Sequence, residues 1–365
     1  MTFPEPRDSL KALEGYHSPQ FDVDVRLNTN ESPYPPPPAF VDAWLAALAE
    51  APLHRYPDRA ARELRQALSA QIGQPVDRIF CANGSNEVLQ TILLTYGGPD
   101  RLALVFEPTY ALHAHIARIT GTPVVLGERG DDFTIDPDDA LARIEADQPD
   151  LVFLCSPNNP TGTVDDRELL EAVLDAAPGL VIVDEAYGEF ARRSALELVA
   201  DDVPLVVVRT YSKVWSLAGL RLGLCAAPPR VVAELEKVVL PYHLDFATQI
   251  AGTVALRFSA EMEARVALLV EERERLFVEL GERTGVTVFP SGANFLLFRV
   301  TGEGRGRDGH AVWEAMVRHG VLVRDFSRWP RVEGCLRVTV GAPAENDAFL
   351  AALDAALEET GSERA

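Results

Sequence analysis

Cysteine is scarce in this chain of 365 residues. The four present, Cys81, Cys155, Cys225 and Cys335, lie far apart, with no C-x-x-C spacing and no histidine cluster beside them. A disulfide scaffold and a zinc centre are therefore excluded as organising features, and buried thiols in a reducing compartment are the expectation. Positive charge is also short. There are 34 Lys and Arg against 55 Asp and Glu, for a net charge of −21 with histidines neutral. So acidic a surface repels phosphate backbones, which excludes nucleic acid and anionic membrane as partners, and any anionic small molecule must be met by local positive charge. No apolar run reaches the roughly 18 residues of a membrane span. The first ten residues lack the basic-then-apolar pattern of a signal segment, so the expected location is the cytoplasm. There is no internal repeat, and no low-complexity stretch beyond Pro35, Pro36, Pro37 and Pro38.

What is present is ordinary globular material: 47% apolar and 24% charged residues. At this length one large domain with a smaller one is expected. Short apolar runs at 78–82, 102–106, 123–126, 151–155, 180–184, 205–209 and 222–226 alternate with helical spacing. Most of these runs are continuous rather than alternating, as buried strands of a largely parallel sheet should be. Helical patterns fill the gaps, among them 87–95, 110–119 and 166–176, the last with Thr163 and Asp165 as candidate caps. Beyond 257 the pattern changes to a long charged helix at 261–283, strands at 286–289, 295–300, 321–324 and 336–340, and helices at 310–319 and 346–357. The fold class is α/β, a seven-stranded, mostly parallel sheet between helices plus a smaller α+β domain. The expected division is an N-terminal arm at 1–38, a large domain at 39–257 and a small domain at 258–365. The proline-stiffened arm is expected to cross a surface, reaching the small domain or a partner subunit.

Gly304, Gly306 and Gly309 satisfy G-x-G-x-x-G between a strand and a helix, with Asp325 beyond. A dinucleotide site is nevertheless excluded, because the residues after Asp325 are too few to build a second mononucleotide half. A polar loop is the remaining reading.

Four segments fall at strand ends, where open α/β sheets place ligands. Asn83-Gly84-Ser85-Asn86-Glu87 opens a helix and offers free backbone N–H groups to a phosphate. Ser156-Pro157-Asn158-Asn159-Pro160-Thr161-Gly162 and Asp184-Glu185-Ala186-Tyr187 each follow a strand, and Thr210-Tyr211-Ser212-Lys213 is followed by Gly219, Arg221 and Gly223. Alone, these are an N-cap, a turn, a helix cap and a solvated lysine. Together they offer hydroxyls, an arginine and a helix start for a phosphate dianion, with a lysine, a carboxylate, a tyrosine and an asparagine left for an aromatic ring. That set suits pyridoxal phosphate.

On these motifs, and on Val25-Arg26-Leu27-Asn28-Thr29-Asn30-Glu31 and Leu336-Arg337-Val338-Thr339-Val340-Gly341, the chain resembles the fold-type I pyridoxal-phosphate aminotransferases. Within them it is similar to the branch that transaminates L-histidinol phosphate with 2-oxoglutarate. The resemblance implies that Lys213 bonds the cofactor and carries the substrate proton, and that Asp184 faces the pyridine nitrogen. Asn159 and Tyr187 would bond the ring oxygen, and Tyr110 would stack on the ring, with a core aromatic as its plain alternative. Ser85, Asn86, Thr210, Ser212 and Arg221 would hold the cofactor phosphate. Many relatives have Ala-Asp in place of Ser85-Asn86. The resemblance further implies a homodimer with a shared active site, in which Tyr56, within Arg55-Tyr56-Pro57-Asp58, reaches the phosphate of the partner subunit. Arg337 would bind the substrate α-carboxylate, and Arg324 would join it for a phosphate; a surface pair of Arg324 with Asp325 is the alternative. Tyr16 would close on the substrate phosphate. The rival activities are aromatic amino-acid transamination and phosphothreonine decarboxylation on the same fold. A ligand-binding regulator is a further alternative, but such proteins carry a DNA-binding domain ahead of this fold.

Overall fold

The computed structural model describes residues 3–11, 13, 15, 20–301 and 308–362. Its strands are β1 (Val25–Leu27), β2 (Ile79–Asn83), β3 (Ala103–Glu107), β4 (Val124–Glu128), β5 (Leu151–Cys155), β6 (Leu180–Asp184), β7 (Leu205–Thr210), β8 (Leu222–Ala226), β9 (Val286–Val288), β10 (Phe295–Val300), β11 (Val321–Asp325) and β12 (Cys335–Thr339). The helices are α1 (Asp8–Lys11), α2 (Pro38–Ala49), α3 (Arg62–Ile72), α4 (Ser85–Tyr96), α5 (Leu112–Thr120), α6 (Pro137–Asp147), α7 (Arg167–Ala176), α8 (Pro229–Val238), α9 (Phe246–Ala255), α10 (Ser259–Gly281), α11 (Gly309–Arg318) and α12 (Pro343–Ser362).

The large sheet has the order β2-β8-β7-β6-β5-β3-β4. Only β8 runs against its neighbours, so β2, β3, β5, β6 and β7 all end at one edge. Its central strands are runs such as Leu-Val-Ile-Val of β6 and Leu-Val-Val-Val of β7, buried on both faces. β-Branched side chains fit that pleated surface, and helices cover both sides of it. One apolar layer joins Phe80, Val105, Phe153 and Ile182 to α4 and α8. The other joins Phe106, Leu154 and Val183 to α6 and α7.

The second sheet has the order β1-β11-β12-β10-β9. Its first strand comes from the N-terminal segment: β1 pairs in parallel with β11, Val25 opposite Val321. The chain then runs through Asn28 and Asn30, both buried, between the two sheets before α2 begins.

Helix ends show where the backbone is left open. Asp136 caps α6 by accepting from the N–H groups of Asp138 and Asp139, and Asp245 caps α9 through Thr248 N–H. The N-cap of α4 is Gly84, at φ 86°, with no side chain to accept. The first N–H groups of α4 thus face the sheet edge uncapped. Asp165, a candidate cap of α7, does not serve as one. It forms a buried ion pair at 2.9 Å with Arg129, and Asp166 takes the cap position. The four cysteines are buried and unbridged, and burial pushes the Cys81 thiol up to about 12. Among the described residues no helix is long and apolar enough to cross a membrane. Gly304 and Gly306 lie outside the described residues; Gly309 opens α11 and is buried.

Candidate active site

Five strand ends and the facing small sheet enclose a cavity of about 350 Å³. Twelve of the residues singled out from the sequence line it: Ser85, Asn86, Tyr110, Asn159, Asp184, Tyr187, Thr210, Ser212, Lys213, Arg221, Arg324 and Arg337. Tyr56 stands apart from it, 76% exposed and stacked on Tyr242 with ring centroids 4.3 Å apart. Tyr16 lies outside the described residues.

At one end is an anion cradle. The start of α4 brings the backbone of Ser85 and Asn86 to the edge, and the turn after β7 brings Thr210 and Ser212. Thr210 Oγ1 donates to Ser212 Oγ at 3.0 Å, and Arg221 Nη1 donates to the same oxygen at 3.4 Å. Arg221 sits at φ 55°, in the left-handed region that side chains rarely adopt. Two glycines make this approach possible. A Cβ on Gly223 would fall 2.2 Å from the Gly84 carbonyl carbon, and a Cβ on Gly84 would fall 2.4 Å from Arg221 Nη2. Backbone donors, hydroxyls and a guanidinium therefore converge with no side chain between them, which is a fit for a phosphate monoester.

In the middle, Asp184 ends β6, 2% exposed. One carboxylate oxygen accepts from Ala186 N–H at 3.0 Å, and the other lies 3.0 Å from Nε2 of His113. His113, on α5, is itself buried and packed between Tyr110 and Phe153. Lys213 Nζ donates to the Thr29 carbonyl at 3.0 Å. Burial, with help from the charges of Arg337 and Arg221, pulls its ammonium down to about 8. Tyr187 accepts from Asn30 Nδ2 at 2.9 Å, and Asn159 Nδ2 lies 3.5 Å from the same hydroxyl. Burial pushes this phenol up to about 12, against the pull of Arg337. Tyr110 precedes α5 and donates to Asn86 Oδ1 at 3.1 Å.

At the far end, Arg324 and Arg337 are register partners on β11 and β12. Arg337 donates to Asn159 Oδ1, and at 2.9 Å to the Asn28 carbonyl. Arg324 is not a surface arginine paired with Asp325. It is 8% exposed in the cavity, while Asp325 pairs with His310 at 2.7 Å. Phe326 and Trp329, from the loop after β11, complete this wall.

The family model for aminotransferases of class I and II matches residues 23–353. The chain belongs to that family. It is 47% identical to histidinol-phosphate aminotransferase of Thermobifida fusca over 356 residues, covering 95% of this chain and 94% of that one. It is 44% identical to histidinol-phosphate aminotransferase of Corynebacterium glutamicum, covering 96% and 95%. The solved histidinol-phosphate aminotransferase of Sinorhizobium meliloti, in complex with pyridoxal 5′-phosphate, superposes with a TM-score of 0.88 at 24% identity, covering 98% and 99%. L-Threonine-O-3-phosphate decarboxylase of Porphyromonas gingivalis superposes at 0.79 with 21% identity, covering 92% and 99%. At such identity these two structures share the fold and nothing narrower.

As an aminotransferase of this family, the protein is an enzyme that needs a carbonyl cofactor, and its cavity fits pyridoxal phosphate by its donor set: an anion cradle, a lysine of lowered pKa and a buried acid within one volume. Sequence reasoning missed His113, Asn30 and the carbonyl of Thr29. Asn30 lies in the segment 25–31, but its partner Tyr187 is 157 positions away.

Proposed function

We propose that this aminotransferase exchanges an amino group between L-histidinol phosphate and 2-oxoglutarate, yielding imidazole-acetol phosphate and L-glutamate. The observation that carries the reading is the pair of buried arginines, Arg324 and Arg337, in register on neighbouring strands that line the cavity holding Lys213. Histidinol phosphate carries a phosphate and no carboxylate, so its anion needs more than one guanidinium. The names of the relatives at 44% and 47% identity support the same substrate.

Bound pyridoxal phosphate supplies an electron sink that acidifies the proton on the substrate carbon bearing the amine. The rest belongs to this chain. The α4 start, Thr210, Ser212 and Arg221 hold the cofactor phosphate. Asp184, oriented by His113 and Ala186 N–H, would face the pyridine nitrogen. Tyr187 and Asn159 donate to the ring oxygen, and Tyr110 covers a ring face. Lys213 has the amine basicity to bond the cofactor carbonyl and to move a proton near neutral pH. Arg337 takes the carboxylate of glutamate, and Arg337 with Arg324 takes the phosphate of the other donor. The two substrates use one cavity in turn, which gives ping-pong kinetics.

The working unit on this reading is a homodimer in the cytoplasm, with the partner subunit's Tyr56 reaching the cradle. The exposed, stacked position of Tyr56 on its own chain supports that arrangement. Tyr16 is assigned to the substrate phosphate. The net charge of −21 supports small-molecule partners and no nucleic acid.

The test compares single-turnover half-reactions with L-histidinol phosphate and L-phenylalanine, with carbon dioxide release from phosphothreonine followed in parallel. Faster conversion of histidinol phosphate is expected. Preference for phenylalanine, or release of carbon dioxide, overturns the substrate assignment. Borohydride is expected to trap the cofactor on Lys213, and a protein with no reducible adduct ends the cofactor reading.

A further inference from the structure

Arg324 and Arg337 are register partners on one face of the antiparallel pair β11 and β12, at 8% and 5% residue exposure. Like charges so placed repel, and water does little to screen them in a buried site. One side chain touches both. The ring centroid of Phe326 lies 5.9 Å from Arg324 Cζ and 5.4 Å from Arg337 Cζ. A cation within about 6 Å of a ring face is drawn to it, more strongly where water is displaced.

The ring is itself fixed. Phe326 is 6% exposed, and its N–H donates to the Cys335 carbonyl at 3.1 Å. Trp329 meets it edge-on, at 5.0 Å and 78°. It packs in one apolar cluster with Leu297 of β10, Val332 of its own loop, and Phe133 from the segment between β4 and α6. Arg331, in the same loop, forms ion pairs with Glu107 and Glu128 at the ends of β3 and β4. The loop is therefore tied to strands of both sheets, and the ring has little freedom to turn.

We propose that Phe326 is the positioning residue that sets the separation of the Arg324 and Arg337 guanidinium groups, so that the site favours a phosphate ester over a lone carboxylate. The inference rests on the reading of this arginine pair as the substrate's anion site. A carboxylate is satisfied by the fork of one guanidinium. For that task Arg337 keeps its place through Asn159, the Asn28 carbonyl and the ring of Phe295 at 5.0 Å. A phosphate dianion uses both forks at once, and only at one spacing. Removing the π face while keeping apolar bulk should therefore penalise phosphate more than carboxylate.

The experiment uses the holoenzyme, with its cofactor cradle filled, as wild type, Phe326→Leu and Phe326→Tyr. Calorimetric titrations with inorganic phosphate and with glutarate give two dissociation constants, and steady-state kinetics give KM for L-histidinol phosphate and for glutamate. Phe326→Leu is expected to weaken phosphate and raise the histidinol phosphate KM by about tenfold, with glutarate and glutamate moving less than about threefold. Phe326→Tyr keeps the ring and should restore both. If the leucine variant melts early, Phe326→Met supplies the same loss of ring with similar volume. Equal weakening of both anions, no change in either, or a tyrosine variant that behaves like leucine overturns the proposal. A wild type that binds phosphate but does not turn over histidinol phosphate overturns the substrate reading instead, and the phosphate-to-glutarate ratio still decides the role of Phe326.

Discussion

The cavity has an anion site at each end, and the two are built differently. The cradle at the start of α4 uses backbone N–H groups, the hydroxyls of Thr210 and Ser212, and one arginine, all carried by the edge of a single sheet. The opposite site uses two arginines on the small sheet, held by aromatic rings and by Asn159, which follows β5 of the large sheet. Backbone N–H groups and hydroxyls with a single arginine suit a dianion that stays bound. Charges on side chains that reach from one sheet to the other suit one that must leave after every turnover. In a chain of net charge −21 both sites depend on placed groups rather than on the general field.

Lys213 stands between the two sites, and its loss should separate chemistry from anion binding most sharply. Lys213→Ala is expected to lower turnover of both donors by about 10⁴-fold, the upper range for a positioned proton carrier. Inorganic phosphate should still bind the arginine end with near-native affinity. Turnover within tenfold of wild type would remove Lys213 from its role, and loss of phosphate binding would show that the two ends are not independent.

The arginine end comes next in size. Arg337→Ala should cost about 10- to 100-fold in kcat/KM for both glutamate and histidinol phosphate, since charge-assisted hydrogen bonds contribute about 1.5–3 kcal/mol. Arg324→Ala should cost a similar factor for histidinol phosphate and little for glutamate. Equal losses for both donors in the Arg324 variant would contradict the division of labour between the two arginines.

The two ends also differ in how far they could be read from sequence. The cradle and its neighbours were legible because most contributors follow a strand within a few residues, as Asn159 follows β5 and Lys213 follows β7, while Arg221 directly precedes β8. The strands themselves were legible because buried parallel strands are continuous apolar runs. His113 was not, because its partner Asp184 is 71 positions away and nothing local separates it from any helical histidine. Nor was β1, three residues long and recognisable only by its pairing with β11. The facing of Arg324 and Arg337 is a matter of register, which a local pattern constrains to one face but not to one partner. Phe326 follows the same logic: as sequence it is a hydrophobic residue after a strand, and only the fold puts two guanidinium groups against its ring.

A substitution in the cradle tests whether backbone fit holds the cofactor. Gly223→Ala would place a Cβ 2.2 Å from the Gly84 carbonyl carbon and 2.3 Å from Ser85 N, so the α4 start must move. Overpacking of this kind costs about 1–3 kcal/mol, which corresponds to roughly tenfold weaker cofactor retention in a dialysis or fluorescence titration. Phosphate affinity at the arginine end of the reconstituted enzyme should be unaffected. An unchanged cofactor affinity would show that the cradle does not need its close backbone approach.

The smallest effect concerns the proton on Lys213. Its ammonium is held down to about 8, mainly by burial, against an ordinary value of 10.5. Only the free amine attacks a carbonyl, so uptake of pyridoxal phosphate by the apoenzyme should rise about fivefold from pH 7 to pH 8 and level off above pH 9. The sign for stability follows from the same shift. Between about 8 and 10.5 the unfolded chain binds the proton and the folded chain does not, so the Lys213 contribution to apoenzyme stability rises with pH across that window and is lost as pH falls through 8. Comparing wild-type and Lys213→Met apoenzymes by thermal melting isolates it: the methionine variant should lack this component and gain most, relative to wild type, below pH 8. A cofactor uptake rate flat between pH 7 and 9 would mean that the amine is already free at neutral pH, and that the arginine end presses harder on Lys213 than its burial alone.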